Sequence, residues 1–192
     1  MSKKIVAAGF DPPASSNLGW SIFVAEENIG KHIASGILSL PDLEADRLLC
    51  IRDFLIDLVE KYSIDVMCFE RAIGHGVAFV REMIGENTGV IKLVGASYGA
   101  DIEAIHTSTM GKVYTGSGAA KGKKSRIKNT SRNLFFPGKS YKAIATNESG
   151  NEYFEHQADA IGFASTYLLK QGIKIEGAGG YINPDEPPVF FE

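Results

Sequence analysis

Residues 5–40 read IVAAGFDPPASSNLGWSIFVAEENIGKHIASGILSL. The opening run, Ile5–Phe10, is almost wholly apolar, the pattern of a strand buried on both faces. Pro12 and Pro13 stop it, because neither can donate to a sheet ladder. Two further strand-like runs, Gly19–Ala25 and His32–Leu40, flank a polar turn at Glu26–Lys31. The stretch therefore predicts a three-strand unit with antiparallel neighbours.

Outward from this unit, strands alternate with helices. Asp42–Tyr62 carries Leu48, Leu49, Ile51, Phe54, Leu55, Leu58 and Val59 at three- and four-residue spacing, which predicts an amphipathic helix. Ile64–Phe69 is the next strand, and it ends at Glu70. A glycine-interrupted segment, Gly74–Gly76, opens a helix through about Ser97, with Gly85, Gly89 and Gly95 aligned as for close helix packing. Asp101–His106 reads as a strand, and Tyr153–Gln171 as a helix closed by Gly172. This order predicts an α/β fold with a mixed sheet flanked by helices. Residues 1–176 form the expected domain, and 177–192 a Gly/Pro-rich tail lying loosely on the surface or against a partner.

The length, 192 residues, suits one domain with its own core. The composition is ordinary for a globular chain, with 44% hydrophobic and 22% charged residues. Two cysteines, Cys50 and Cys68, both in apolar runs, do not make a disulfide scaffold. The N-terminal apolar run is too short for a signal-peptide core, and no stretch approaches the roughly 20 apolar residues of a membrane span. The expectation is a soluble, cytoplasmic protein without membrane contact.

The net charge of −3 hides a segregation. Lys112–Lys142 contains nine Lys or Arg and no acid, so +9 sits there and −12 elsewhere. The nine are Lys112, Lys121, Lys123, Lys124, Arg126, Lys128, Arg132, Lys139 and Lys142, in what reads as a loop leading into a helix. Contact with a phosphate backbone is the use such a segment suits, through Lys112, Lys121, Lys123, Lys124, Arg126, Lys128 and Arg132. Lys124, Arg126, Lys128 and Arg132 are expected along one side of the helix or its preceding loop. The segment TGSGAAKGKKS lacks phosphate-loop spacing, so no nucleotide cofactor is assigned.

Four residues outside that stretch carry chemistry. Asp11 and Glu70 each end an apolar strand, where open α/β sheets place their sites. If the strands are neighbours, the two carboxylates meet and repel unless a proton or cation intervenes. His156 and Asp159 stand three apart on one helix face, beside the small Ala158 and Ala160, while Glu155 points about a quarter turn away. Taken singly, a turn aspartate or a buried cap explains each. Together they suit a divalent cation with oxygen ligands, magnesium or manganese.

These motifs bring a family into view. GFDPPASSNLGWSIF resembles the opening of the RuvC-type Holliday junction resolvases, and MCFERA resembles their strand ending in the catalytic glutamate. GSGAAKGKKSRI is similar to their glycine-rich, lysine-bearing segment, with Lys124 and Ile127 at the matching lysine and aliphatic. HQADAIGFA resembles their closing motif, in a form closer to bacteriophage members. The resemblance runs over roughly Ile5–Leu169. It implies a ribonuclease-H-like fold with a central mixed five-stranded sheet, a homodimer, branched double-stranded DNA as partner, and two Mg2+ ions per site with Mn2+ tolerated. By carry-over, Asp11, Glu70 and Asp159 are carboxylate ligands, His156 takes a position often acidic in cellular members, and Lys124 is the catalytic lysine. A phage origin would put the protein in a bacterial host's cytoplasm. Pro13 stands where a glycine is usual, with the loop lengthened by Ser15–Leu18. The rivals are a nuclease of the same fold acting on forks, flaps or RNA–DNA hybrids, and a non-catalytic branched-DNA-binding protein.

Overall fold

The computed structural model describes residues 4–13, 16–71, 77–119, 121–145 and 150–191, with the side chains at 142, 145 and 150–153 set aside. The Gly74–Gly76 segment, Ser15 and the Lys142 side chain lie outside the described residues. The chain runs β1 (Ile5–Asp11), β2 (Asn17–Glu26), β3 (Ile29–Ser39), α1 (Glu44–Tyr62), β4 (Val66–Glu70), α2 (Ala78–Ser97) and β5 (Asp101–Ile105). It continues with α3 (Thr107–Thr115), α4 (Lys123–Phe135), α5 (Tyr141–Ala145), α6 (Gly150–Lys170), β6 (Lys174–Gly177), β7 (Gly180–Ile182) and β8 (Val189–Phe190).

The first three strands form an antiparallel meander, as the opening stretch predicts. The turn between β2 and β3 is tight because Glu27 and Asn28 both adopt positive φ, 52° and 64°, the geometry that matches strand twist in a two-residue hairpin. Strand β4 lies parallel to β1, and β5 parallel to β4. The expected five-stranded core is thus ordered β5-β4-β1-β2-β3, and β6, β7 and β8 extend it to eight strands.

That extension differs from the expected loose tail. Strand β6 pairs in parallel with β3 from Ile29 to Lys31, and β7 and β8 fold back as antiparallel neighbours. Gly177 and Gly179 let the hairpin sit against α4: a Cβ at either would lie about 2 Å from the Leu134 or Asn133 carbonyl oxygen. The glycines of α2 also depart from expectation. Gly85 and Gly89 face open space, and Gly95 alone sits in close contact, where a Cβ would meet Ile102 Cδ1 at 2.5 Å. Helix α3 has no counterpart in the sequence reading. It starts where His106 Nδ1 accepts from the Ser108 amide and buries only Met110, Gly111 and Tyr114, too short an apolar pattern to stand out.

The sheet separates two apolar layers. One holds Val6, Ala8, Phe10, Ile22, Met67 and Phe69 under α1 and α2. The other holds Ala7, Phe23, Val66 and Cys68 under α6, α3 and α4. Alternation along each strand sends neighbouring residues to opposite layers. Among the described residues, no helix is long and apolar enough to cross a membrane.

Candidate active site

The site begins with strand register. Phe10 pairs with Phe69 across the parallel β1–β4 ladder, and both side chains belong to the layer under α1 and α2. Asp11 and Glu70, one residue further on each strand, therefore turn to the α6 side at the same end of the sheet. Two parallel apolar strands ending in carboxylates thus become one acidic edge.

Helix α6 completes that edge because glycines let it lie directly on the strands. A Cβ at Gly9 would sit 2.0 Å from the Ala160 carbonyl oxygen, and one at Gly19 would sit 2.1 Å from the His156 carbonyl oxygen. Gly19 is the β2 partner of Asp11, so the close approach occurs beside the carboxylate. The buried Ser21 hydroxyl donates to the Ala160 carbonyl at 3.0 Å and secures the contact. His156 is thereby brought to Asp11, with Nδ1 and Oδ2 2.6 Å apart. Asp159 follows one turn on.

Asp11, Glu70, Glu155, His156 and Asp159 line a cleft of about 270 Å³ together with Pro12, Pro13, Thr107, Lys123 and Lys124. The acidic groups disfavour one another. Burial, then the Asp11 charge, raises the Glu70 carboxyl above its ordinary range. Burial, then Asp11, Glu155 and Glu70, pushes Asp159 well up. The hydrogen bond to Asp11 raises His156 and favours its protonated form. Lys124 donates to Glu155 Oε1 at 2.5 Å, and this bond raises the lysine.

All five residues assigned to catalysis from sequence, Asp11, Glu70, His156, Asp159 and Lys124, meet at this cleft. Lys123 joins them. Glu155 also faces in, although its angle from His156 suggested otherwise; the signal was its i,i+4 relation to Asp159, which shares a helix face. The other basic residues divide. Lys112 and Lys121 are exposed on α3 and in the loop before α4. Lys128 and Arg132, one turn apart on α4, both stand over the Tyr141 ring, at 5.1 and 5.0 Å from its centroid. Arg126 departs from the expected row: it reaches back to the Lys121 and Ala119 carbonyls and braces the glycine-rich loop.

Among the described residues, no group of three or more His, Cys, Asp or Glu stands close enough to hold a metal ion as the side chains lie. The donor set nevertheless fits a hard divalent cation in its chemistry. It is rich in carboxylate oxygen, and neighbouring negative charge adds to burial in raising the proton affinity of Glu70 and Asp159, a repulsion that a cation relieves. Closing on an ion requires rotation of these side chains.

No family model matches the chain. Crossover junction endodeoxyribonuclease RuvC of Rickettsia typhi is 26% identical over 167 residues, covering 86% of this chain and 98% of the relative. Among solved structures, Thermus thermophilus RuvC in complex with Holliday junction substrate superposes with a TM-score of 0.68 at 15% identity, covering 87% of this chain and 94% of that one. Fowlpox virus resolvase with Holliday junction DNA gives 0.57 at 13% identity, covering 87% and 99%. The fold is ribonuclease-H-like, matching that of the RuvC structures, and the chain is similar in sequence to RuvC over most of its length.

Proposed function

We propose that this protein is a metal-dependent, structure-selective endonuclease that resolves four-way DNA junctions by hydrolysing phosphodiester bonds. The observation that carries the reading is the cleft itself, where Asp11, Glu70, His156 and Asp159 face Lys123 and Lys124. Relatives of matching length named for junction cleavage support the substrate.

Asp11, Glu70 and Asp159 would hold two divalent cations, Mg2+ or Mn2+, with His156 contributing a ring nitrogen after parting from Asp11. Such ions activate water and neutralise the charge that develops on the departing oxygen. The chain's own groups do the rest. Lys124 exchanges its partner, Glu155, for a phosphate oxygen and orients the scissile strand. Lys123 adds a second positive charge at the cleft wall. Lys112 and Lys121 extend the positive track outward, while Lys128 and Arg132 present theirs beside Tyr141. Arg126 acts indirectly, by holding the loop in place.

Two symmetric nicks need two sites, which a twofold homodimer supplies. The outer face of α2 and the turn before it suit this interface: Val77, Phe79 and Leu93 are each about two-thirds or more exposed. Residues 1–176 then make the nuclease domain, and β7 and β8 of the 177–192 segment lengthen its sheet.

A strand-cleavage assay tests the reading. It compares a synthetic four-way junction with linear duplex, fork, flap and RNA–DNA hybrid, in Mg2+, Mn2+ or chelator. Paired metal-dependent nicks near the branch, lost in Asp11→Asn, are expected. Preference for another substrate would overturn the named function. Junction binding without cleavage in any metal would favour the non-catalytic rival.

A further inference from the structure

A polar chain crosses the interior on the side of the sheet away from α6. Asn87, in the middle of α2, is 0% exposed, and Arg47 on α1 is 6% exposed. Arg47 Nε donates to Asn87 Oδ1 at 3.3 Å, and its Nη2 pairs with Glu86 at 3.0 Å. Asn87 Nδ2 then donates to the Pro13 carbonyl at 3.0 Å. The chain ends two residues from Asp11, on a proline that itself lines the cleft.

Stability alone accounts poorly for this arrangement. Asparagine is a weak helix former, and burying an arginine costs desolvation that packed aliphatic side chains of similar volume would avoid. Its value is positional. The chain must leave the sheet directly after Asp11, and Pro12 and Pro13 have no amide hydrogens with which to fix their own turn. Their carbonyls are the handles that remain, and Asn87 grips that of Pro13. Both ends of the Asn87 amide are used, so its orientation is set by Arg47.

We propose that Asn87 is a positioning residue for the Asp11 end of the active site, with Arg47 fixing the Asn87 side chain. The inference rests on the nuclease reading only for its activity arm. The experiment compares Asn87→Leu, Arg47→Lys and the double variant with wild type. It reads junction kcat and KM, junction binding in chelator, Mn2+ affinity by electron paramagnetic resonance, and melting temperature. Asn87→Leu is expected to lower kcat and Mn2+ affinity by roughly 10- to 100-fold, the range seen when groups that orient ligands are lost. KM and junction binding in chelator should stay within about twofold. Arg47→Lys, which keeps the charge for Glu86, should show a smaller loss in the same two quantities, and the double variant should be no worse than Asn87→Leu. Losses that merely track the melting temperature, or unchanged Mn2+ affinity in a folded Asn87→Leu, would overturn the proposal. If wild type cleaves nothing, the nuclease reading fails, and Mn2+ affinity alone still decides the positioning role.

Discussion

The two faces of the central sheet are built from the same strands and do different work. Under α1 and α2, Val6, Ala8, Phe10, Met67 and Phe69 make a packed apolar layer. On the other face, Gly9, Gly19 and Ser21 clear a path for α6, and the row ends in Asp11 and Glu70. Both faces bury apolar side chains, the first without interruption up to the strand ends. The other gives up side-chain volume so that a helix backbone can bring His156 and Asp159 to the strand ends. The lesson is that small residues here locate the site as surely as the charged ones form it.

The strongest way to sharpen this contrast is to remove charge from the functional face. Asp11→Asn should lower junction cleavage about a thousandfold or more while changing the melting temperature in chelator little, because relief of carboxylate repulsion offsets the weakened bond to His156. A cleavage assay beside a thermal melt checks both.

Next comes Gly19→Ala. The added methyl group meets backbone, not a yielding side chain, so α6 must shift away from Asp11. A displacement near 1 Å can cost about 100-fold in rate, with overpacking adding ~1–3 kcal/mol of destabilisation. Phe10→Leu on the opposite face is the control: about 1–2 kcal/mol of stability lost, with kcat retained at a temperature where both proteins are folded. Equal kinetic effects from the two variants would break the contrast.

Lys124→Ala should reduce cleavage by about 10- to 100-fold and lower the salt dependence of junction binding by about one ion. Lys112→Ala, exposed on α3 and outside the cleft lining, should change only the second quantity. Titrating binding against salt separates the two.

The smallest effect expected is on stability against pH. Glu70 and Asp159 have raised proton affinities in the fold, and so does His156. Groups raised in the folded state stabilise it when protonated, and that contribution is lost as pH rises through their folded values. In chelator, wild type should therefore lose stability from mildly acid to neutral pH relative to Asp159→Asn. The comparison cancels His32, whose burial lowers it to about 4 and whose contribution runs the other way, fading as pH falls below the ordinary histidine range. Millimolar Mn2+ should raise the melting temperature most at the alkaline end. Identical pH profiles for the two proteins would remove the electrostatic argument.

Much of this was legible in the chain. The apolar runs ending in Asp11 and Glu70 and the His156–Asp159 spacing are local patterns, and local patterns survive in sequence. The basic segment was equally plain, but not its division of labour. Nothing local says that Arg126 turns back onto carbonyls or that Lys128 and Arg132 share Tyr141. The inward aim of Glu155 is legible only against Asp159, with which it shares a helix face, and not against its neighbour His156. The strands beyond Ile173 are hard to read because β6 pairs with β3, over 140 residues earlier, and β7 and β8 build on β6. Strands of two to four residues have no periodicity to declare them.

By itself, then, the sequence determined the five core strands and the long helices α1, α2 and α6, the identity of the charged groups and the separation of charge, since each depends on residues near one another in the chain. The tertiary structure decided which glycines are contacts, where Lys124 finds Glu155, and how Asn87 reaches Pro13 across 74 residues. Those facts depend on which surfaces exclude water together, and that is settled only when distant segments compete for the same core.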